Sequence, residues 1–464
     1  MSTAAQAFDA AVMMMRAGRR EEAAALCWEI MRQDATVADA PAMLARIESD
    51  AGRYRNAMLY HGIALKADPG RYDLWCNRGI DAMSARMFVE AEESFRRSLH
   101  ERQSFEGYFN YGNLLCTMMR VGEAVEQYRW AFPFDKHENA QLRVNYGQAL
   151  MATGDWKAGF KNYRHRFNAP GFPPAPRLNY PVWNGEPLGG KTILLFSEQG
   201  FGDEIQSLRF AEPIKRMGAR IILAVRPPMF RMVRDSFYIN PYYGHPVEVI
   251  LMYDEPPVRP DYQCALLDVP GFVDMTPETV PLKGGYLSPP DRGFRLQFPL
   301  GLNVGVCWSS GKRDLQPHVA DTARQKSLSF DQLVRPLARP GVNLYSLQQS
   351  HNDDAAMRDL GVTDPMAGVT DFADTAFIID HLDLVITVDT SVAHLAGAMG
   401  KPVWNLVRFD ALWPWMQQTS ETCWYDSMVI YRQSKPLDWS DPLKRLLADF
   451  GNRVLSTGTA QAAE

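Results

Sequence analysis

Cysteine is scarce and scattered in this chain of 464 residues. None of the six cysteines forms the Cys-x-x-Cys spacing that structural zinc sites and redox pairs use. The sequence therefore predicts neither a disulfide framework nor a zinc site, and it favours a reducing compartment, the cytoplasm.

Long apolar runs and an excess of charge are also missing. The apolar run at residues 11–15 is too short to span a membrane, and its arginines follow it, whereas a signal peptide carries its basic residues first. A formal net charge of −5 gives nucleic acid no electrostatic attraction. We expect a globular protein of roughly three domains, with no membrane span and no nucleic-acid partner.

A repeat with a period near 34 residues is present in the first third. The same position of five successive copies carries a small residue: Ala23, Ala57, Ala91, Ala124 and Gly159. Helical hairpins of this length cannot bury their apolar faces alone, so they stack into a superhelix with a concave groove. The pattern resembles tetratricopeptide repeats and predicts about five of them over residues 1–168. The groove is predicted to hold a polypeptide, and the alternative is a scaffolding or dimerising role.

Prolines and glycines crowd residues 169–190, so helices cannot persist there. We interpret this segment as a semi-rigid linker that lies on the next domain, with Tyr180 and Trp183 as its anchors.

Short apolar strands then alternate with helical segments, which is typical of parallel α/β sheets. Strands are predicted over 192–197, 220–225, 248–252 and 262–267, and again over 303–308, 342–347, 384–388, 403–407 and 428–431. A helix is predicted over 204–217, a loop-rich hinge over 283–299 and a closing helix over 441–450. Two Rossmann-like domains, 191–290 and 300–437, are thus expected to face a shared cleft, followed by a closing helix and tail, 438–464.

Phosphate-binding chemistry follows the strand over 384–388. Asp389, Thr390 and Ser391 supply N-cap chemistry for an Ala-rich helix, and His394 lies within its first turn. A helix N-terminus beyond the carboxyl end of a strand attracts anions. The alternative for His394 is a buried histidine with satisfied hydrogen bonds.

A Gly-x-Gly turn follows the first predicted strand. Gly200 and Gly202 allow a tight turn, and Asp203 comes near the first turn of the next helix. The spacing leaves two roles open for Asp203: accepting a proton or capping its helix.

Several motifs in a fixed order resemble those of bacterial glycosyltransferases related to heptosyltransferases, in the branch in which tetratricopeptide repeats precede the transferase. They lie at residues 198–206, 308–311, 326–328, 346–348, 371–376, 388–402 and 424–433. The resemblance implies a repeat superhelix followed by a GT-B fold, with the acceptor-side domain first and the nucleotide-sugar domain second.

The resemblance also implies an inverting transfer from a nucleotide sugar, without a metal or another cofactor. Asp203 is then the general base, and Gly200, Gly202 and Asp389 shape the loops. The remaining residues bind the donor and its phosphates: Lys326, Thr390, Ser391, His394, Trp308, Ser309 and Gln348. Ser391 stands where heptosyltransferases commonly have glycine, which leaves the sugar open among hexose, heptose and nonulosonic acid.

Three functions follow as hypotheses. The favoured one is a cytoplasmic protein glycosyltransferase whose repeats capture a polypeptide; some proteins of this build modify flagellin. The second is a carbohydrate-acceptor transferase of lipopolysaccharide or capsule assembly. The third is a repeat adaptor with an inactive transferase domain.

Overall fold

The computed structural model describes residues 3–239, 247–290, 298–311, 322–350, 353–411, 413–415 and 419–461. The chain forms two compact units, residues 1–149 and 150–464. No helix in these described ranges is both long enough and apolar enough to cross a membrane.

The first unit is a stack of helical hairpins. Its helices are α1 Thr3–Arg16, α2 Arg20–Gln33, α3 Asp39–Asp50, α4 Tyr54–Ala67, α5 Tyr72–Ser84, α6 Phe88–Glu101, α7 Phe105–Thr117, α8 Val121–Ala131 and the start of α9, Ala140–Ala152. A β-carbon on Gly79 would lie 2.7 Å from the Phe95 ring, and one on Gly112 would lie 2.5 Å from the Tyr128 ring. The helices of these two hairpins therefore touch through glycine, and the predicted tetratricopeptide architecture is confirmed.

The division between the units falls earlier than the predicted repeat boundary at residue 168. Helix α10, Trp156–Tyr163, belongs to the second unit. Trp156 stacks on Trp424 with ring centroids 4.9 Å apart, and Phe160 meets Phe210 at 6.2 Å. These aromatic contacts explain why the last predicted hairpin is split between the two units.

The second unit contains two wholly parallel sheets. The first has the order β3-β2-β1-β4, with β1 Thr192–Phe196, β2 Arg220–Val225, β3 Glu248–Leu251 and β4 Tyr262–Ala265. The second has the order β6-β5-β7-β8-β9, with β5 Leu302–Cys307, β6 Val342–Ser346, β7 Leu384–Val388, β8 Val403–Val407 and β9 Met428–Arg432. Every predicted strand is present, and the two Rossmann-like domains of the GT-B fold are confirmed.

Helices cover both sheets. They are α11 Phe201–Ser207, α12 Ala211–Arg216, α13 Pro227–Ile239, α14 Phe330–Leu333, α15 Asp354–Leu360, α16 Phe372–Asp380, α17 Ser391–Ala398 and α18 Ser440–Gln461. The single helix predicted over 204–217 is wrong in detail: it begins three residues earlier and is divided by a 3-10 turn, Leu208–Phe210. Asp203 consequently lies inside the first turn of α11. The closing helix is longer than predicted.

The proline-rich segment pairs with the first sheet. Val182 forms a parallel bridge with Gln263 of β4, and the Gln263 amide side chain donates to the carbonyls of Leu178 and Tyr180. Trp183 is fully buried. The segment is thus fixed to the sheet edge. The predicted hinge, 283–299, is a loop where it is described, and residues 291–297 lie outside the described residues.

Candidate active site

The loop between β1 and α11 places a carboxylate at the carboxyl end of the first sheet. Gln199 adopts a left-handed backbone with φ 61°. The Gly200 N–H then donates to Asp203 Oδ2 at 3.0 Å. Asp203 therefore caps its helix, which is one of the two roles that the sequence left open. This bond uses only one of its carboxylate oxygens.

The environment of Asp203 makes its carboxylate a stronger base. Burial raises the pKa of Asp203 above the usual carboxyl range, and the hydrogen bond from Gly200 opposes that rise. The negative charge of Asp389 raises the pKa further, while Lys326 lowers it. A carboxylate with a raised pKa accepts a proton more readily near neutral pH.

The second sheet supplies a helix N-terminus. Thr390 is the N-cap of α17, and its Oγ1 accepts from the Val392 N–H at 3.3 Å. Ser391 is the first residue of the helix. The first N–H groups of a helix lack intrahelical partners and carry the positive end of its dipole. This end of α17 is therefore suited to an anion.

Asp389 joins the helix N-terminus to a lysine. Its Oδ2 lies 3.7 Å from Lys326 Nζ, and its Oδ1 accepts from Trp415 Nε1 at 2.9 Å. Burial opposes ionisation of Asp389, but the attraction of Lys326 and the hydrogen bond from Trp415 favour it, and the pKa of Asp389 lies below its usual range. Asp389 is thus an anion that orients Lys326.

His394 is buried at the contact between the two sheet domains. Its ring stacks on Trp415 with centroids 4.8 Å apart, and Nδ1 lies 3.0 Å from Tyr425 Oη. A β-carbon on Gly202 would lie 2.8 Å from His394 Cδ2, so only glycine lets α11 approach α17 this closely. Burial lowers the pKa of His394 to about 4. The imidazole is therefore neutral at neutral pH and offers hydrogen bonding rather than charge.

One cavity of about 610 Å³ brings both halves together. Its walls include Gly200, Gly202, Asp203, Lys326, Asp389, Thr390, Ser391 and His394. Residues far apart in the sequence, such as Gly200 and His394, thus face one space. The cavity places the carboxylate of Asp203 on one side, and the N-terminus of α17 with Lys326 on the other.

Part of the second sheet domain matches a known family model. Residues 329–407, from just before α14 to the end of β8, match the model of glycosyltransferase family 9 (heptosyltransferase). This segment contains β7 and the N-terminus of α17. This part of the chain is therefore similar to the heptosyltransferase-related glycosyltransferases.

A similar curated protein and several solved structures accompany this match. Protein FlbA of Caulobacter vibrioides is 26% identical over 426 residues, which are 83% of this chain and 69% of the relative. MamA from Desulfovibrio magneticus RS-1 is 16% identical, with 35% of this chain and 93% of that chain covered and a TM-score of 0.33. YrrB, described as a TPR protein with an unusual peptide-binding site, is 18% identical, with 34% and 82% covered and a TM-score of 0.31.

Three residues expected at the nucleotide side of the transferase do not line the cavity. Trp308 is only 3% exposed and packs edge-on against Phe330 at 5.5 Å. Gln348 is buried as well, and its Oε1 accepts from the Ser309 N–H at 3.0 Å. Trp308 thus belongs to the core, and Gln348 holds the turn after β5. That turn directs Ser310 and Gly311 into the cavity instead.

The transferase cavity also has walls that the sequence did not indicate. Gly171, Phe172 and Pro173 of the proline-rich segment line it, together with Trp413 and Pro414. No local motif marks Phe172. Trp413 also packs edge-on against Trp156 and Phe160, with ring centroids 5.9 Å and 5.1 Å apart.

A buried arginine lies behind His394. Arg209 is 0% exposed, donates to the carbonyl of Gln206 at 3.1 Å and packs over the rings of Tyr286 and Tyr425, each 4.7 Å from its guanidinium. Its charge helps to lower the pKa of His394.

Within the described part of the chain, no group of three or more His, Cys, Asp or Glu side chains could hold a metal ion.

Proposed function

We propose that this glycosyltransferase moves a sugar from a nucleotide sugar to a hydroxyl group of a polypeptide, in the cytoplasm and with inversion at the anomeric carbon. The observation that carries the proposal is the shared cavity, in which Asp203 faces the same space as Lys326 and the N-terminus of α17. A single displacement requires this arrangement of base and leaving-group stabilisers.

The proposed reaction is one displacement. The acceptor hydroxyl gives its proton to Asp203 while its oxygen bonds to the anomeric carbon. The bond from that carbon to the phosphate oxygen breaks, and the electron pair leaves with the nucleotide. The raised pKa of Asp203 supports the role of proton acceptor.

The leaving nucleotide needs positive potential where its charge grows. Lys326 and the N–H groups of α17 can supply it, and Asp389 keeps Lys326 in place at 3.7 Å. The hydroxyls of Thr390 and Ser391 and the neutral imidazole of His394 add hydrogen-bonding groups to the proposed donor site.

The repeat unit supports a polypeptide acceptor. A cavity of about 700 Å³ in this unit is lined by apolar side chains such as Val12 and Met43 and by polar ones such as Arg46 and Asn77. Mixed apolar and hydrogen-bonding walls along stacked hairpins suit an extended peptide. Flagellin is one polypeptide to test as acceptor.

The transfer step is tested with purified full-length protein. A thermal-shift screen against ADP, UDP, GDP, CMP and dTDP identifies the nucleotide, and labelled sugars on that nucleotide are then offered with protein and glycan acceptors. Asp203→Asn should lower turnover by about 10²–10⁴-fold with nucleotide binding intact. A wild-type protein that binds nucleotide but transfers no sugar would favour the adaptor hypothesis.

The acceptor is tested by changing the charge in the repeat cavity. Arg46→Glu should raise the KM for the protein acceptor and leave donor affinity unchanged. The matched control is Arg97→Glu, an equally drastic charge change on the exposed surface of α6, outside this cavity. Efficient transfer to a glycan that is insensitive to Arg46→Glu would support the carbohydrate-acceptor hypothesis instead.

A further inference from the structure

The end of the helical array is built into the catalytic unit. Tyr163, the last residue of α10, donates its hydroxyl hydrogen to Gln199 Oε1 at 3.1 Å. Gln199 immediately precedes Gly200, whose N–H holds Asp203. One hydrogen bond thus connects a residue of the fifth predicted hairpin to the loop that carries the catalytic carboxylate.

Tyr163 differs from the equivalent aromatic residues of the preceding repeats in the partner of its hydroxyl group. The equivalent aromatics of the preceding copies, Phe95 and Tyr128, pack against glycines within their own hairpins. Tyr128 Oη donates to Asn113 of the same hairpin at 2.8 Å, whereas Phe95 has no hydroxyl. The aromatic ring at this position serves the repeat fold, so the partner of the Tyr163 hydroxyl is a separate feature.

A second contact from the same segment reaches the residue before Gln199. Arg166 is 0% exposed and donates through Nε to Glu198 Oε2 at 2.9 Å and through Nη1 to Asp268 Oδ1 at 2.7 Å. A buried guanidinium between two carboxylates has a fixed planar geometry. Arg166 therefore holds Glu198 at the start of the loop, and Tyr163 holds the next residue, Gln199.

The loop is held on its other side as well. Arg226 donates to the carbonyl of Gln199 at 2.7 Å, and its guanidinium packs over Phe201 at 4.1 Å from the ring centroid. Gln199 adopts a positive φ, which is strained for a residue with a side chain and persists only when its surroundings enforce it. The contacts from Tyr163 and Arg226 meet at this residue.

We propose that Tyr163 and Arg166 are positioning residues of the transfer reaction: they hold the loop 198–203 so that Asp203 faces the acceptor hydroxyl. This inference rests on the proposed role of Asp203 as the base. Helix α10 then contributes to the active site, whereas the earlier hairpins form the repeat cavity.

The test is Tyr163→Phe in the full chain, because phenylalanine keeps the ring and removes only the hydroxyl. We expect kcat to fall about fivefold, the kinetic equivalent of one neutral hydrogen bond, while donor KM is unchanged. Tyr128→Phe is the matched control, since it removes the corresponding hydroxyl one copy earlier; it should leave kcat unchanged. An unchanged kcat in Tyr163→Phe would overturn the inference.

A double-mutant cycle separates positioning from a general loss of stability. If Tyr163 acts through Gln199, Gln199→Leu should lower kcat, and adding Tyr163→Phe should cause no further fall. Multiplying effects would mean that Tyr163 does not act through Gln199. Asp203→Asn is measured beside them: full activity in that variant removes the proposed base, whereas its inactivity with a normal Tyr163→Phe refutes the positioning role alone.

Discussion

Replacing His394 by glutamine should remove much of the acid sensitivity of the transferase unit. His394 is buried between Gly202 and Trp415, and burial lowers its pKa to about 4. In the unfolded chain the same imidazole has its ordinary pKa of 6.5. Between these two pH values, His394 is therefore protonated in the unfolded state and neutral in the folded state.

The sign and size of the effect follow from this difference. Above pH 6.5 neither state protonates His394, so its contribution to stability is fully present there. As the pH falls below 6.5, the unfolded state gains the proton and stability declines by about 1.4 kcal/mol per pH unit until the folded pKa near 4 is reached. From pH 7 to pH 5 the expected loss due to His394 alone is about 2 kcal/mol.

Urea unfolding at several pH values between 7 and 5 measures this loss. Glutamine cannot titrate, and its amide can still pair with Tyr425 Oη, so His394→Gln should show a free energy of unfolding that falls less steeply with acid. His100→Gln is the control, because the His100 side chain is 76% exposed and should leave the slope unchanged. Parallel pH dependences in wild type and His394→Gln would refute the reasoning.

Three further changes test the cavity. Gly202→Ala places a β-carbon 2.8 Å from His394 Cδ2, so it should cost about 1–3 kcal/mol of thermal stability and most of the activity, whereas Gly122→Ala meets nothing within 4 Å and should do neither. Lys326→Met removes the ammonium group beside Asp389, so calorimetry should show nucleoside diphosphate binding weakened roughly 10- to 100-fold, and wild-type affinity would contradict the donor-site assignment. Phe172→Ala removes an aromatic wall near Asp203, so steady-state kinetics should show a severalfold higher acceptor KM with donor KM unchanged; the reverse pattern would place the donor at this wall.

Contiguous segments allowed accurate prediction from sequence. The strand β7, the N-cap Thr390 and the helix α17 follow one another within 15 residues, from Leu384 to Ala398, and local propensity and capping rules determine each of them. The repeats were recognisable for the same reason, because each copy carries its own contacts. The predicted α-helix over 204–217 failed in detail, since its 3-10 interruption is not marked by a strong local signal.

Burial and long-range contacts could not be predicted from local sequence patterns. Trp308 was expected at the nucleotide side, but only the contact of its ring with Phe330 shows that it belongs to the core. His394 was expected to bind phosphate, and the sequence does not reveal that the surrounding aromatic rings keep it neutral. No sequence pattern marked Phe172 as a lining residue, because a cavity wall is formed by segments that are distant in the chain.

The sequence by itself determined the repeat hairpins, the two parallel sheets and the local geometry of the turn between β7 and α17, because each depends on neighbouring residues. Only the tertiary structure decided that Asp203 and Lys326 face one cavity and that α10 belongs to the transferase unit. These features arise from side chains that meet across more than a hundred positions, and from the electrostatic effect of burying them together.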